Sequence, residues 1–427
     1  MAILSVKFNG GGNYMQEIKR EQYLNELIRA RENRLIKVIT GIRRCGKSYL
    51  LDPLFKNYLV NDGVKKNHII KLDLDLIENS KYRNPMELFN YVMGMVEDND
   101  VYYILLDEIQ LVDRFEEVLN SFLKKPNLDV YVTGSNFKFL SSDIVTEFRG
   151  RSTEIKVYPL SFSEFVDLKQ ISEDKAWKEY VLYGGLPPVV LQEDEKQKRE
   201  FLANLFEMTY LKDIVERNNI QRKDVLDAIV NILASSIGSL TNPMNIYKTY
   251  LATGDKEISI NTITSYIEYL ENAFLITKAE RYDVKGRKHI STPFKYYFTD
   301  LGLRNVRLNF RQQEENHIME NIIYNELLIR GYNVDVGVVE VRNNDGRVYY
   351  EIDFVCNMAS NRFYIQSALN IDSPEKNFQE SRPLNSVGDN FKKIIVVRDD
   401  INLWHNEDGI LIIGVKEFLL NKNSLNL

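Results

Sequence analysis

The sequence predicts an α/β protein built on a parallel sheet, and three observations carry that prediction. Residues 41–48 read Gly-Ile-Arg-Arg-Cys-Gly-Lys-Ser, which fills every specified position of the phosphate-loop pattern G-x-x-x-x-G-K-[ST]. The octapeptide is preceded by a short apolar run, residues 35–40, and followed by Tyr49-Leu50-Leu51, which opens a helical pattern. A second apolar run, residues 101–106, ends in Asp107-Glu108. Strand, loop and helix in that order are the context in which the pattern binds phosphate, and a continuous apolar run is how a strand buried on both faces reads.

Each part of the loop has a chemical reason. Gly41 and Gly46 allow a tight backbone curl that brings N–H groups onto an anion, so the loop from Gly41 through Ile42, Arg43, Arg44, Cys45, Gly46, Lys47 and Ser48 to Tyr49 is the expected phosphate cradle. Lys47 supplies positive charge for terminal phosphates, and the Ser48 hydroxyl is a ligand for the Mg2+ that accompanies them. A helix starting here adds the positive end of its dipole. Asp107, at the carboxyl end of its strand, is the second expected Mg2+ ligand. Glu108, one residue further out, is the expected catalytic group that orients and polarises an attacking water.

A third strand, residues 129–133, leads into Gly134-Ser135-Asn136. Ser135 and Asn136 are both candidates for a polar sensor of the γ-phosphate, and the residues do not choose between them. Arg149 and Arg151, in Phe148-Arg149-Gly150-Arg151, are candidates for the cation that stabilises a transferring phosphoryl group, in the same chain or in a neighbouring copy.

These segments, with Tyr158-Pro159-Leu160-Ser161-Phe162-Ser163-Glu164-Phe165, Tyr183-Gly184-Gly185-Leu186-Pro187, Tyr297-Phe298-Thr299-Asp300-Leu301-Gly302-Leu303 and Glu351-Ile352-Asp353-Phe354-Val355, carry a resemblance. The chain resembles the prokaryotic AAA+-related P-loop ATPases, relatives of the archaeal-type ATPases, that carry an appended C-terminal domain of unknown function. The resemblance implies an additional-strand P-loop core, adenine as the base, and ATP with Mg2+ as cofactors. It says little about biological purpose.

Beyond the core, a helical pattern over residues 225–236 is followed by Ser259 as an N-cap and by Ile260, Ile263, Ile267, Leu270 and Phe274 on one helical face. Strand-like segments at 274–281 and 293–299 flank the basic tip Lys285-Gly286-Arg287-Lys288-His289. Helices followed by a two-stranded wing resemble a winged helix-turn-helix. The outward face of its last helix offers Asn261, Thr264, Ser265, Glu268 and Glu271 and no cation, which argues against phosphate contact there. Lys285, Arg287 and Lys288 are the better nucleic-acid candidates.

The last third combines a helix over residues 315–330, bearing Glu320 and Glu326, with strands at 348–355 and 362–369. It resembles a restriction-endonuclease-like domain, in which Asp353 would hold a metal while a glutamate and a lysine stand two residues apart on the next strand. Gln366 and Ala368 occupy those two positions. A neutral amide is a poor ligand for a hard cation and alanine cannot activate water, so the expected domain is catalytically degenerate.

The expected division is therefore a P-loop AAA+-like domain over 1–195, a winged-helix domain over 196–305 and a degenerate nuclease-like domain over 306–427. A chain of 427 residues with 44% hydrophobic and 27% charged residues has core enough for two or three domains. The net charge of −6 argues against coating nucleic acid through bulk charge. Two cysteines, Cys45 and Cys356, one inside the loop, fit a reducing cytoplasm better than a disulfide. No stretch approaches the roughly 20 apolar residues that span a bilayer, and residues 1–16 lack a cleavable-signal pattern. The expected activity is Mg-dependent ATP hydrolysis used as a switch or motor, with DNA, RNA, a protein or a second copy of the chain as candidate partners. The alternatives are an ATP-binding adaptor with little turnover and, less favoured, a nucleotide-driven nuclease.

Overall fold

The computed structural model describes residues 18–134, 150–252, 258–311, 314–343 and 346–427; Ser135, Asn136 and Arg149 lie outside them. Contacts divide the chain into two compact units, Met1–Pro159 and Leu160–Leu427.

The first unit is organised by five parallel strands: β1 Ile36–Thr40, β2 Ile69–Asp73, β3 Tyr102–Asp107, β4 Leu128–Thr133 and β5 Ser152–Lys156. Their order is β2-β3-β4-β1-β5. One strand, β4, thus separates the strand before the loop from the strand ending in Asp107, the arrangement expected of the additional-strand class. Every residue of β1, β3 and β4 is buried. That includes Lys37, whose ammonium pairs with Asp129 across the β1–β4 contact. Tyr131 donates its hydroxyl to the same carboxylate at 2.8 Å. Burial lowers the Lys37 pKa, and the charge and hydrogen bond of Asp129 oppose that shift without cancelling it. On the sheet, Ile104, Leu106, Val118, Phe122 and Val132 belong to one continuous apolar core.

The helix expected from Tyr49 onward is interrupted. Lys47–Tyr49 is α-helical, but Asp52 has φ −144° and ψ 117°, and regular helix resumes at Lys56–Asn61. Pro53 explains the break, because its ring disfavours helical geometry in the preceding residue.

The second unit contains an eight-stranded mixed sheet: β6 Ile276–Asp283, β7 Lys288–Phe298, β8 Asn333–Asn343, β9 Gly346–Met358, β10 Asn361–Ala368, β11 Lys392–Val397, β12 Trp404–His405 and β13 Leu411–Gly414. Its order is β12-β13-β11-β10-β9-β8-β6-β7. Ser259 caps the helix Ile260–Asn272 by accepting from Thr262 N, and Ile263, Tyr266, Ile267 and Leu270 are buried. The hairpin expected as a wing is joined to the C-terminal strands, since Arg281–Tyr282–Asp283 run parallel to Val336–Gly337–Val338. Pairing there satisfies backbone groups that a freestanding wing would leave to water.

Asp300 ties together two segments far apart in sequence. Its carboxylate accepts from Gly185 N at 2.8 Å and from Leu303 N at 3.2 Å, the latter capping helix Leu301–Arg307. A Cβ on Gly184, at φ +74°, would lie 2.3 Å from Asp300 Oδ1, and one on Gly302 would lie 2.2 Å from Tyr183 O. The Gly-Gly-Leu-Pro and Thr-Asp-Leu-Gly segments are thus one packing joint.

Candidate nucleotide site and a buried charge cluster

The loop after β1 has the backbone its glycines allow. Gly41 has φ +138°, and a Cβ there would stand 2.1 Å from Val157 O. Gly46 has φ +103° and begins the short helix, while Arg44 between them is left-handed at φ 69°. Cys45 is buried and its thiol donates to Val157 O at 3.3 Å, so it anchors the loop floor. Lys47 is 5% exposed, and its ammonium donates to Gly41 O at 2.9 Å and Ile42 O at 3.1 Å. The amine therefore lies within the loop's own curl, where a phosphate would compete with those carbonyls. With only one turn before the break at Asp52, the dipole of this helix is weaker than a continuous helix would give.

β3 brings Asp107 to the same end of the sheet. Its carboxyl is hydrogen-bonded by the Ser48 and Thr133 hydroxyls. Desolvation is the main cause that pushes Asp107 up to about 6; Glu108 and Asp73 add to it, and the two hydroxyls oppose it. The contribution of Asp73 follows from register, since it pairs with Asp107 across β2 and β3. Lys71 bridges Asp73, at 2.5 Å, to Asp52 at the helix break, at 3.0 Å. A hydroxyl and a buried carboxylate in mutual contact, beside a loop lysine, form an oxygen-donor set that fits Mg2+.

Glu108 has a left-handed backbone, φ 54°, and its N–H donates to Thr133 Oγ1 at 3.0 Å. Its carboxylate accepts from Gln110 Nε2. Thr133 thus fixes both acids at once, which the sequence reading missed by looking two residues further for a sensor. The available signal was a threonine at the carboxyl end of the strand, just before the Gly-Ser-Asn turn. Arg151 is not brought to the loop. Its carbonyl accepts from Ile36 N at the amino end of β1, opposite the loop, and its side chain is exposed near Asn120.

In the second unit the carboxylates expected from the sequence do converge, around an amine the sequence did not suggest. Lys295 of β7 lies 2.8 Å from Glu320, 2.9 Å from Glu351 and 3.5 Å from Asp353. Tyr297 donates to Glu320 at 2.5 Å, and Ser367 N donates to Asp353 at 2.9 Å. Burial, then Glu320, pushes Asp353 up to about 7, while Lys295 holds Glu320 below the usual range against desolvation. Glu326 instead pairs with Arg330 at 2.8 Å. Gln366 faces Asp353 N at 3.4 Å, and Ala368 packs in the apolar core with Ile352, Tyr364 and Leu384.

Among the described residues, His68, Asp98 and Asp100 also cluster, but His68 lies 3.4 Å from Asp98 and Lys65 3.0 Å from Asp100, so each acid has a cationic or ionisable neighbour. No helix among the described residues is long and apolar enough to cross a membrane.

Residues 33–166 match the AAA domain family, and residues 174–314 match a domain of unknown function, DUF8612. An uncharacterized protein of Haemophilus influenzae is 35% identical over 412 residues, covering 94% of this chain and 98% of that protein. Uncharacterized protein MJ1544 of Methanocaldococcus jannaschii is 28% identical over 361 residues, 80% of this chain and 76% of that protein. Among solved structures, the Walker-type ATPase PABY2304 of Pyrococcus abyssi aligns with a TM-score of 0.50 at 17% identity, covering 68% of this chain and 96% of that one, a likeness of fold. The chain belongs to the prokaryotic AAA-domain P-loop ATPase family whose members carry a C-terminal domain of unknown function.

Proposed function

We propose that the chain binds ATP with Mg2+ and hydrolyses it, and that hydrolysis serves as a conformational switch or motor. The observation that carries this reading is the convergence of Ser48, Asp107, Thr133 and Glu108 at the loop end of the sheet. The amides of residues 41–49 would hold the phosphates, and Lys47 would exchange its loop carbonyls for phosphate oxygens. Ser48 and Asp107 would ligate the cation, whose chemistry is to neutralise charge on the β- and γ-phosphates. Glu108, fixed at its backbone by Thr133, would accept the proton of the attacking water. Ser135 or Asn136 would sense the γ-phosphate, and Arg149 or Arg151 would act on the site of a neighbouring copy.

The proposed organisation is a P-loop domain over 1–195, a winged-helix domain over 196–305 and a degenerate nuclease-like domain over 306–427. The capped helix and β6–β7 hairpin support the second, and the order of helix Glu315–Ile329, β8, β9, β10 and helix Pro374–Asn385 supports the third. Both share one sheet. Nuclease chemistry is the least favoured reading, because Ala368 is in the core and Lys295 is already ion-paired to the carboxylates. The contact from Gln110 to Glu108 favours a second reading, an ATP-binding adaptor whose general base is held back. Nucleotide affinity of Lys47→Ala tests the shared premise: the proposal predicts loss of ATP binding, and unchanged affinity would contradict both readings.

A further inference from the structure

The β6–β7 tip is not the only cationic hairpin in the second unit. Because β6 runs parallel to β8, the turn after Asp283 lies beside the far end of β8, and Lys285 Nζ reaches Glu340 O at 2.9 Å. The neighbouring β8–β9 hairpin pairs Arg342 with Arg347 and Glu340 with Tyr349. Residues two apart on a strand share a face, so Arg342, Arg347 and Tyr349 project together. All three are open to solvent: the side chains of Arg342 and Arg347 are 74% and 60% exposed, and Tyr349 is 58% exposed. Lys285, Arg287 and Lys288 are exposed on the adjoining tip. Among the described residues the acids nearby are engaged; Asp345 lies outside them. Glu340 lies 3.5 Å from both Arg342 and Arg347, and Asp283 accepts from Gly286 N at 2.8 Å. Five cations and an exposed aromatic thus gather at one end of one sheet, in a chain whose net charge is −6.

We propose that these two hairpin tips form one composite docking surface for a nucleic-acid strand, with Lys285, Arg287, Lys288, Arg342 and Arg347 on phosphates and Tyr349 stacked on a base. The proposal rests on the switch-or-motor reading of the ATPase, names nucleic acid as what it acts on, and extends the basic tip Lys285, Arg287 and Lys288 to a hairpin that sequence reasoning did not single out. A polyanion is the partner that such a charge excess complements. The exposed tyrosine among cations favours a single strand, whose unpaired bases offer π-faces, over a duplex, whose bases are stacked inside.

The test is fluorescence anisotropy of full-length protein with a labelled single strand, a labelled duplex and, separately, polyglutamate, without nucleotide. Arg342→Glu/Arg347→Glu should weaken single-strand binding about tenfold or more and flatten the log–log salt dependence by roughly 1.5, because two phosphate contacts are lost. Tyr349→Ala should weaken the single strand about fivefold or more and the duplex far less. Lys124→Glu/Lys125→Glu, on exposed residues of the first unit, should change neither. Equal loss in that control, unchanged affinity in the arginine variant, or wild-type binding to polyglutamate but to neither nucleic acid would overturn the proposal. The last result would point to an acidic polypeptide. Duplex binding that equals single-strand binding and ignores Tyr349→Ala would overturn the stacking assignment. Arg342→Gln/Arg347→Gln, which removes charge without reversing it, guards against misfolding and should show an intermediate loss. Phosphate release measured on the same samples separates the two ideas: lost binding with intact turnover concerns this surface alone, and absent turnover with intact binding concerns the ATPase reading alone.

Discussion

Replacing Gly41 by alanine should damage the loop through two additive costs that the structure separates. The backbone at φ +138° is outside the range of L-residues, which costs roughly 1–3 kcal/mol. The new methyl would also stand 2.1 Å from Val157 O, well inside van der Waals contact. Val157 cannot retreat freely, because its N–H donates to Thr40 O at 2.8 Å and its carbonyl accepts from Cys45 at 3.3 Å. Losing one such hydrogen bond adds about 1 kcal/mol, so the total loss is about 2–4 kcal/mol. Gly46→Ala provides the contrast: its φ is +103°, but a Cβ there meets nothing within 4 Å, so it bears the backbone cost alone. Thermal melting with nucleotide titration reads both effects. At about 2–4 °C per kcal/mol for a unit of this size, Gly41→Ala should melt about 4–16 °C below wild type and bind ATP poorly. A Gly41→Ala protein as stable as Gly46→Ala, with wild-type ATP affinity, would refute the steric argument.

Three further perturbations test the packing account. Asp129→Ala should destabilise the first unit by about 3–5 kcal/mol in chemical denaturation, because it leaves the Lys37 ammonium buried without its partner; Lys37→Met/Asp129→Leu should recover much of that loss. Asp300 is pushed up to about 6 by burial, so the folded chain holds a proton that the unfolded chain has released. Asp300 should therefore contribute a fall of roughly 2–4 kcal/mol in the stability of the second unit as pH rises from about 4 to about 6; Asp300→Asn should lose that part of the slope and keep the part from Asp353, as denaturant midpoints across the window would show. Lys295→Met should remove the cation from Glu320, Glu351 and Asp353 and destabilise more at pH 8 than at pH 5, where carboxylates can take up protons; an equal loss at both would show that the amine acts by packing alone.

What was legible in the sequence was local. The phosphate loop is one contiguous octapeptide whose glycines, lysine and serine each have a required place, and the strand ending in Asp107-Glu108 announces itself by an unbroken apolar run. Ser259 as a cap and the apolar face of its helix were readable for the same reason. The expected helix after Tyr49 failed because Pro53, visible in the sequence, was outweighed by apolar spacing; the residue before it took an extended conformation. Lys295 was illegible because sheet pairing and a helix deliver it to Glu320 and Asp353, partners 25 and 58 residues away. Ala368 leaves its strand without a lysine, and the amine that meets these carboxylates comes from β7, the edge strand, with β9, β8 and β6 between it and β10 in the sheet order. The pairing of β6 with β8 was illegible because nothing local to residues 276–298 reveals which strand will cover that edge. Arg151 was a candidate by residue type alone, and strand direction carried it away from the loop.

The central claim, that Ser48, Asp107 and Glu108 make an ATP-hydrolysing site, is tested most directly by phosphate release from purified full-length protein. Wild type and Glu108→Gln should be compared with Mg-ATP, each with and without added DNA. The account predicts magnesium-dependent turnover in wild type and a fall of about a hundredfold or more in Glu108→Gln, with ATP binding retained. Turnover that ignores Glu108→Gln, or its absence from wild type under every condition despite ATP binding, would contradict it.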